Sequence, residues 1–176
     1  MLNSRADAFR LLKNWDAPEH LITHVKLVGE AADLLLDKFD KLCIPIDSNF
    51  VRIGVAIHDI GKIVHINEMI GAGSEHEPEG EKMLLGKGIP PHIARCCMSH
   101  ARWNEMDCSM EELLIALADK LWKGKRPQLL ELEIIDRAAA ALNKSRWDIY
   151  EELDGQFEFI AADGYSRLNR SVNNEH

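Results

Sequence analysis

Residues 51–62 read Val51-Arg52-Ile53-Gly54-Val55-Ala56-Ile57-His58-Asp59-Ile60-Gly61-Lys62. The first seven form a nearly continuous apolar run, which predicts a central helix. The run ends in the adjacent pair His58 and Asp59, and desolvating such a pair costs several kcal/mol unless something compensates. A divalent first-row metal bound by the imidazole and the carboxylate is one compensation, and a plain hydrogen bond between them is the other.

Length and composition indicate one globular domain. The chain has 176 residues, of which 46% are hydrophobic, so a sizeable core is available. We predict one domain over residues 1–170 and a frayed polar tail over 171–176. No run approaches the roughly 18–20 apolar residues that cross a membrane, and the first residues lack the apolar core of a signal peptide.

The cysteines indicate in which cellular compartment the protein works, and the net charge excludes one class of binding partner. Four cysteines without CxxC spacing predict reduced thiols in a cytoplasmic protein; they are Cys43, Cys96, Cys97 and Cys108. We expect the vicinal pair among them to be buried as small apolar residues. The net charge of −8 argues against binding to a nucleic acid polymer, but it leaves room for a small phosphorylated substrate that meets a local basic cluster.

Helical periodicity dominates the chain, and strand signals are weak. The predicted fold is therefore all-α, a bundle of about seven to eight helices. The expected helices cover residues 4–14, 19–39, 49–59, 74–86, 91–101, 110–122, 128–143 and 145–161.

Capping patterns in the sequence predict where several of these helices begin and where one of them ends. Asp16 with Glu19, Ser74 with Glu77, and Ser109 with Glu112 each have capping-box spacing, and Asp47 or Ser48 is expected to cap the helix that contains residues 51–57. Gly61 is expected to stop that helix.

Six ionisable residues fall on or beside apolar helix faces. They are His24, His58, Asp59, His76, His100 and Asp119. Taken singly, each has an ordinary explanation, such as a hydrogen-bonded core histidine or an ion pair of Asp119 with Lys123. Taken together, they would repeat a large desolvation cost unless a metal ion offsets it. They come from five predicted helices, and we therefore expect a buried metal site.

The order of these residues resembles the HD superfamily of metal-dependent phosphohydrolases. His24, then His58-Asp59, then Asp119 follow that family's pattern, and His58-Asp59-Ile60-Gly61-Lys62 resembles its extended HDIGK form. The resemblance covers residues 18–126. His76 and His100 are similar to the extra ligands of a two-metal subgroup, which includes HD-GYP phosphodiesterases and HD-type diadenosine tetraphosphate hydrolases. The GYP tripeptide is absent, since Trp103-Asn104-Glu105 follows instead.

The resemblance implies the ligand set and the chemistry. His24, His58, Asp59 and Asp119 would hold a first metal, and Asp59 would bridge to a second that His76 and His100 complete. Imidazole and carboxylate donors suit Fe, Mn, Co or Ni, with Mg also admissible, and a structural zinc site is not expected because there is no thiolate cluster. Two such metals would activate a shared hydroxide for attack on phosphorus. A one-metal site with the first four ligands stays open.

Basic residues near these ligands are candidates for binding phosphate. Lys62 follows the His58–Asp59 pair, and Arg102 follows His100. Lys120, Lys123, Lys125 and Arg126 cluster beyond Asp119. Lysine would act on phosphate as a point charge and arginine as a bidentate fork. A solvated basic patch is the alternative. His65 is a candidate proton donor to the leaving group.

Three functions follow from these features. The first is hydrolysis of a phosphate ester or anhydride bond in a small, nucleotide-like substrate. The second is oxygen activation at a mixed-valent di-iron site, because some HD-superfamily oxygenases resemble this ligand set. The third is a helical module that binds a nucleotide without catalysis. The sequence leaves the substrate, the metal and the oligomeric state, monomer or homodimer, open.

Overall fold

The computed structural model describes residues 2–173, and these residues form helices and connecting turns without a strand. The α-helices are α1 (Arg5–Asn14), α2 (Glu19–Lys41), α3 (Ser48–Ile57), α4 (His76–Gly86), α5 (Pro91–Ala94), α6 (Cys96–Arg102), α7 (Met110–Leu121), α8 (Gln128–Ala141), α9 (Tyr150–Ala162) and α10 (Gly164–Asn173). Short 3-10 helices occupy Ile60–Ile63, Ile66–Met69 and Arg146–Asp148. The all-α prediction is confirmed. None of the described helices combines the length and hydropathy that crossing a membrane requires.

Helix α3 lies at the centre of the bundle, as predicted. It packs against α2 and α7, and Val51, Val55 and Ile57 are almost fully buried. Gly54 permits the close approach of α7, because a Cβ atom at that position would lie 2.2 Å from Ile115 Cδ1. The apolar run therefore ends deep inside the protein, and it carries His58 and Asp59 there.

Two of the predicted helix caps are confirmed. The Asp47 side chain accepts a hydrogen bond from the backbone N–H of Phe50 at 2.9 Å and caps α3. Ser109 and Glu112 form a reciprocal capping box at the start of α7. Both signals are local in sequence, so they are readable without knowledge of the fold.

The predicted cap at Asp16 is wrong. Asp16 has a left-handed backbone with a φ angle of 52° and closes the end of α1 instead of opening α2. The N–H of the next residue, Ala17, donates to Leu12 O at 3.0 Å, which is the closure typical of a helix C-terminus. Helix α2 has Pro18 at its N-cap position and no side-chain cap.

The predicted capping box of Ser74 with Glu77 is also wrong. Helix α4 begins at His76, and its N-cap residue, Glu75, makes no side-chain cap. Glu77 is buried and binds Arg102 Nε at 2.7 Å. The free N–H groups at this helix start are bound by Glu68, which comes from the preceding 3-10 helix.

The C-terminal half differs from the prediction in its helix bounds. The helix expected over 91–101 is divided at Arg95 into α5 and α6, and the one expected over 145–161 is a 3-10 helix followed by α9. Helix α10 was not predicted. Of the tail predicted over 171–176, residues 171–173 form the last turn of α10, and residues 174–176 lie outside the described residues.

Gly61 does not stop α3 as predicted. Helix α3 ends at Ile57, and Gly61 lies inside the 3-10 helix that follows Asp59. A Cβ atom on Gly61 would lie 1.9 Å from the backbone oxygen of His76. Glycine is therefore needed for packing, because it lets the segment after Asp59 touch the start of α4.

We expect Gly61→Ala to lower the free energy of unfolding by about 3 kcal/mol, because backbone atoms of two segments must separate to admit the methyl group. Urea unfolding monitored by circular dichroism measures this. The matched control is Gly155→Ala in α9, where a Cβ atom meets nothing within 4 Å and where alanine should add about 0.5–1 kcal/mol. Equal stability of Gly61→Ala and the wild type would contradict the packing role.

Candidate metal centre

Five helices deliver ionisable side chains to one point in the protein. His24 comes from the second turn of α2, and His58 with Asp59 directly follows α3. His76 begins α4, His100 lies on α6, and Asp119 lies near the end of α7. The structure thus brings all six predicted ligands together. His58 is fully buried and Asp59 is 2% exposed, so the cluster lies in the interior.

One group of donors forms around the Oδ2 atom of Asp59. His24 Nε2 lies 3.1 Å from this oxygen and 3.4 Å from His58 Nε2. The Oδ1 atom of Asp119 lies 3.7 Å from each of these two imidazole nitrogens. Adjacent donors bound at about 2.0–2.2 Å to one metal are separated by about 2.8–3.6 Å in octahedral or tetrahedral geometry. This first donor group therefore matches the spacing of a coordination shell.

A second group forms around the other oxygen of the same carboxylate. Asp59 Oδ1 lies 3.1 Å from His76 Nε2 and 3.5 Å from His100 Nε2. The two oxygens of Asp59 thus face two different sets of imidazoles. Asp59 is the residue that joins the first donor group to the second.

Hydrogen bonds at the far side of the rings fix their tautomers. His58 Nδ1 lies 2.8 Å from Val55 O, and His100 Nδ1 lies 3.1 Å from Cys96 O. A carbonyl oxygen only accepts, so each Nδ1 carries the proton and each Nε2 presents its lone pair to the cluster. That is the form of histidine that binds a metal.

Two buried atoms in the second group have no hydrogen-bond partner among the described residues. They are Asp59 Oδ1 and His76 Nε2, which lie close together without the geometry of a hydrogen bond. Buried polar atoms are almost always satisfied. A carboxylate oxygen and an imidazole nitrogen that both present lone pairs to one point fit a bound divalent cation.

The local electrostatics favour the deprotonated states that ligands need at Asp59, His24 and His100. His76 differs: burial alone would lower its pKa, but the carboxylates of Asp59 and Glu68 outweigh burial and raise it. Burial alone would raise the pKa of Asp59, but the imidazoles of His58 and His24 outweigh it and hold that pKa well below its ordinary value. Burial lowers the pKa of His24 and lowers the pKa of His100 to about 3. At neutral pH these two imidazoles are therefore neutral and Asp59 is ionised.

Three lysines surround the donor groups. Lys62 Nζ binds Asp59 Oδ2 at 2.6 Å. Lys120 Nζ lies 2.8 Å from Asp119 Oδ2, the oxygen that is not used by the histidines, and Lys123 Nζ lies 3.8 Å from the same atom. Lys62 and Lys123 were predicted to be near the ligands, and the structure places both there. The side chains of all three lysines are partly exposed.

The two predicted arginines are engaged by carboxylates outside the donor groups. Arg126 binds Glu131 through two nitrogens and also binds Asp154. The sequence predicts that Arg126 binds phosphate, and in the structure its partners belong to α8 and α9. Arg102 binds the buried Glu77 through Nε and so links α6 to α4.

The remaining predictions concern His65 and the vicinal cysteines. His65 is half-buried at the start of the 3-10 helix Ile66–Met69. Close to the cluster, Trp122 packs in the core with its ring 5.1 Å from that of His24, edge to face. Cys96 and Cys97 are free thiols that are fully buried, as predicted.

Glu68 is the residue of this site that the sequence did not indicate. Its carboxylate binds His76 Nδ1 at 2.5 Å and also the backbone at the start of α4. It lies in a predicted loop without periodicity, and the only signal was an acidic residue in the segment between two ligands.

We expect single ligand substitutions to divide the metal content. His24→Ala should lose the equivalent bound by the first group, and His76→Ala or His100→Ala should lose the other. Asp59→Ala should lose both, because its two oxygens face the two groups. Mass spectrometry of metals in protein reconstituted with Mn²⁺ and then desalted measures this.

The control for these variants is His92→Ala. His92 is exposed and stacks on Phe50 away from the cluster, so this variant should keep the wild-type metal content. Full metal content in the Asp59→Ala protein would contradict the assignment of the site.

Comparison with known proteins gives one match. The model of the family described as HD domain matches residues 21–140, a span that contains all six converging side chains. No curated protein and no solved structure matches the chain.

Proposed function

The chain belongs to the HD domain family, a superfamily of metal-dependent hydrolases, and we propose that it cleaves a phosphate ester or phosphate anhydride bond in a small, nucleotide-like substrate. The observation that carries this proposal is the position of Asp59. Its two oxygens face separate groups of imidazoles, 3.1 Å from His24 on one side and 3.1 Å from His76 on the other.

That arrangement suits a pair of divalent ions held by one bridging carboxylate. The first group would hold one ion through His24, His58 and Asp119, and the second would hold the other through His76 and His100, with Asp59 shared. Imidazole and carboxylate donors favour Mn, Fe, Co or Ni, and Mg is admissible. When bound, such a pair lowers the pKa of water and offsets the charge that develops on a phosphoryl group.

The lysines around the donor groups would bind the substrate's phosphate. Lys62 uses one N–H on Asp59, which leaves its other two for an anionic oxygen. Lys120 and Lys123 approach Asp119 from the opposite side to its imidazole contacts. Three ammonium groups offset the three carboxylates of the site, Asp59, Asp119 and Glu68, in a chain of net charge −8. The N–H groups of these lysines that are not used within the protein would bind a phosphorylated ligand.

His65 is our proposed proton donor to the leaving group. It lies three residues after Lys62 and is half-buried. Among the described residues, no side chain forms a hydrogen bond or an ion pair with it. Imidazole is the side chain that most often acts as a general acid or base in enzymes.

The experiment that tests the function combines metal reconstitution with a substrate panel. Protein loaded separately with Mn²⁺, Fe²⁺, Co²⁺, Ni²⁺ or Mg²⁺ is assayed on nucleotides, dinucleoside polyphosphates, cyclic dinucleotides and phosphomonoesters, with products resolved by chromatography. Hydrolysis of at least one class in the absence of oxygen supports the proposal. Oxygen consumption by the iron-loaded protein, without phosphate release from any class, would instead support a di-iron oxygenase.

We expect Lys62→Ala to lower kcat/KM for the identified substrate about 100-fold, or ~2.7 kcal/mol, because a charged donor to the reacting phosphate is lost. Metal content is measured on the same samples to separate loss of substrate binding from loss of metal. Lys82→Ala is the matched control, since Lys82 is 76% exposed and pairs with Glu79 on the surface of α4. Activity of Lys62→Ala equal to that of the control would remove Lys62 from the site.

A further inference from the structure

We propose, on the basis of the two-metal site above, that Glu68 is a positioning residue for His76 and that it decides whether the protein holds a second metal. Glu68 is not itself one of the converging donors. It acts through the imidazole of His76 and through the backbone of α4, which carries that imidazole.

The Glu68 carboxylate makes three contacts at the start of α4. Its Oε1 atom accepts a hydrogen bond from the backbone N–H of Glu75 at 3.2 Å. Its Oε2 atom accepts from the backbone N–H of His76 at 3.2 Å and from His76 Nδ1 at 2.5 Å. One side chain therefore fixes both the position of the helix start and the orientation of the His76 ring.

Glu68 does for His76 what backbone carbonyls do for two other ligands. His58 and His100 direct their Nδ1 atoms to carbonyl oxygens of their own helices. His76 is the first residue of α4, so no earlier turn of that helix supplies such a carbonyl. The carboxylate of Glu68 takes this place and leaves Nε2 directed at Asp59 Oδ1. Removal of a hydrogen-bond partner of this kind typically lowers metal affinity 10–100-fold.

The second donor group depends on this support more than the first. His24, His58 and Asp119 are carried by α2, α3 and α7, which pack on one another in the core. Helix α4 has no side-chain cap from its own N-cap residue, and the segment before it is partly exposed, with Ile70 at 92%. Glu68 is the side chain of this segment that contacts the imidazole of His76 directly.

Gly73 makes the position of Glu68 testable without removing the carboxylate. A Cβ atom on Gly73 would lie 2.4 Å from Glu68 Cδ and 2.5 Å from its Oε1. The backbone of Gly73 is outside the left-handed region that disfavours alanine. Gly73→Ala should therefore displace the Glu68 side chain and leave the rest of the segment in place.

The experiment is a Mn²⁺ titration of metal-free protein, followed by electron paramagnetic resonance of free Mn²⁺ and by mass spectrometry of the desalted product. Glu68→Ala should weaken the second equivalent 10–100-fold and leave the first unchanged. Glu68→Gln, which keeps one acceptor oxygen, should recover part of the loss. This selective loss and its recovery distinguish positioning from a general loss of stability.

The glycine variants complete the test. Gly73→Ala should weaken the second equivalent in the same direction as Glu68→Ala, and the double variant should be no weaker than Glu68→Ala alone, because both changes act on one contact. Gly86→Ala at the end of α4 is the control, since its Cβ atom would meet nothing within 4 Å, and it should bind both equivalents normally.

Two results would overturn the role of Glu68, and they differ in what else they imply. If the wild type binds two equivalents and Glu68→Ala binds both as tightly, Glu68 has no positioning role and the two-metal site stands. If the wild type itself binds a single equivalent, and His76→Ala keeps it, the second metal and the role of Glu68 both fail.

Discussion

A single buried carboxylate shared between imidazoles from four helices is the constraint on which the rest of this structure depends. Asp59 is 2% exposed, and an ionised carboxylate at that depth costs several kcal/mol unless it is compensated. The compensation has to surround it on both sides, because each oxygen needs its own partners. The bundle meets this requirement by directing the ends of separate helices at one point.

The two sides of Asp59 are built with different rigidity. The side of His24 and Asp119 rests on long core helices whose packing is apolar and close, as the contact between Gly54 and Ile115 illustrates. The side of His76 and His100 rests on α4 and α6, which are held together by the pair Glu77–Arg102 and by Glu68. Ion pairs and loop contacts are weaker restraints than a packed core. Under the two-metal proposal, the metal affinity of the second group therefore depends on weaker restraints than that of the first.

The sequence predicted the elements whose signals are local. The apolar run that ends in His58, the cap at Asp47 and the capping box of Ser109 with Glu112 depend on residues within one or two turns of each other, and all are confirmed. The convergence of the six side chains was predictable because each lies near an apolar stripe or a helix end. A polar residue on an apolar helix face has few positions open to it in the fold, because it must lie in the interior and find partners there.

The contacts that the sequence did not predict are those made between distant segments. Ser74 and Glu77 have the spacing of a capping box, yet Glu68 takes the N–H groups at that helix start and Arg102 takes Glu77. A capping pattern states which side chain is able to bind, and the tertiary structure decides which one does. The same reason applies to Gly61, whose role depends on the backbone of His76.

The contacts of each aspartate with both histidines and lysines bear on our proposal that this acidic protein binds an anionic substrate. Asp119 turns one oxygen to His24 and His58 and the other to Lys120, so its charge is already compensated within the site. The other negative charges of the chain, net −8, act over a distance, and at physiological ionic strength they are screened beyond about 8 Å. Lysines within hydrogen-bond reach of the ligands are not screened in this way. Under that proposal, a phosphate beside the donor groups would interact mainly with Lys62, Lys120 and Lys123. The acidic surface would then affect mainly the rate at which the phosphate approaches at low salt.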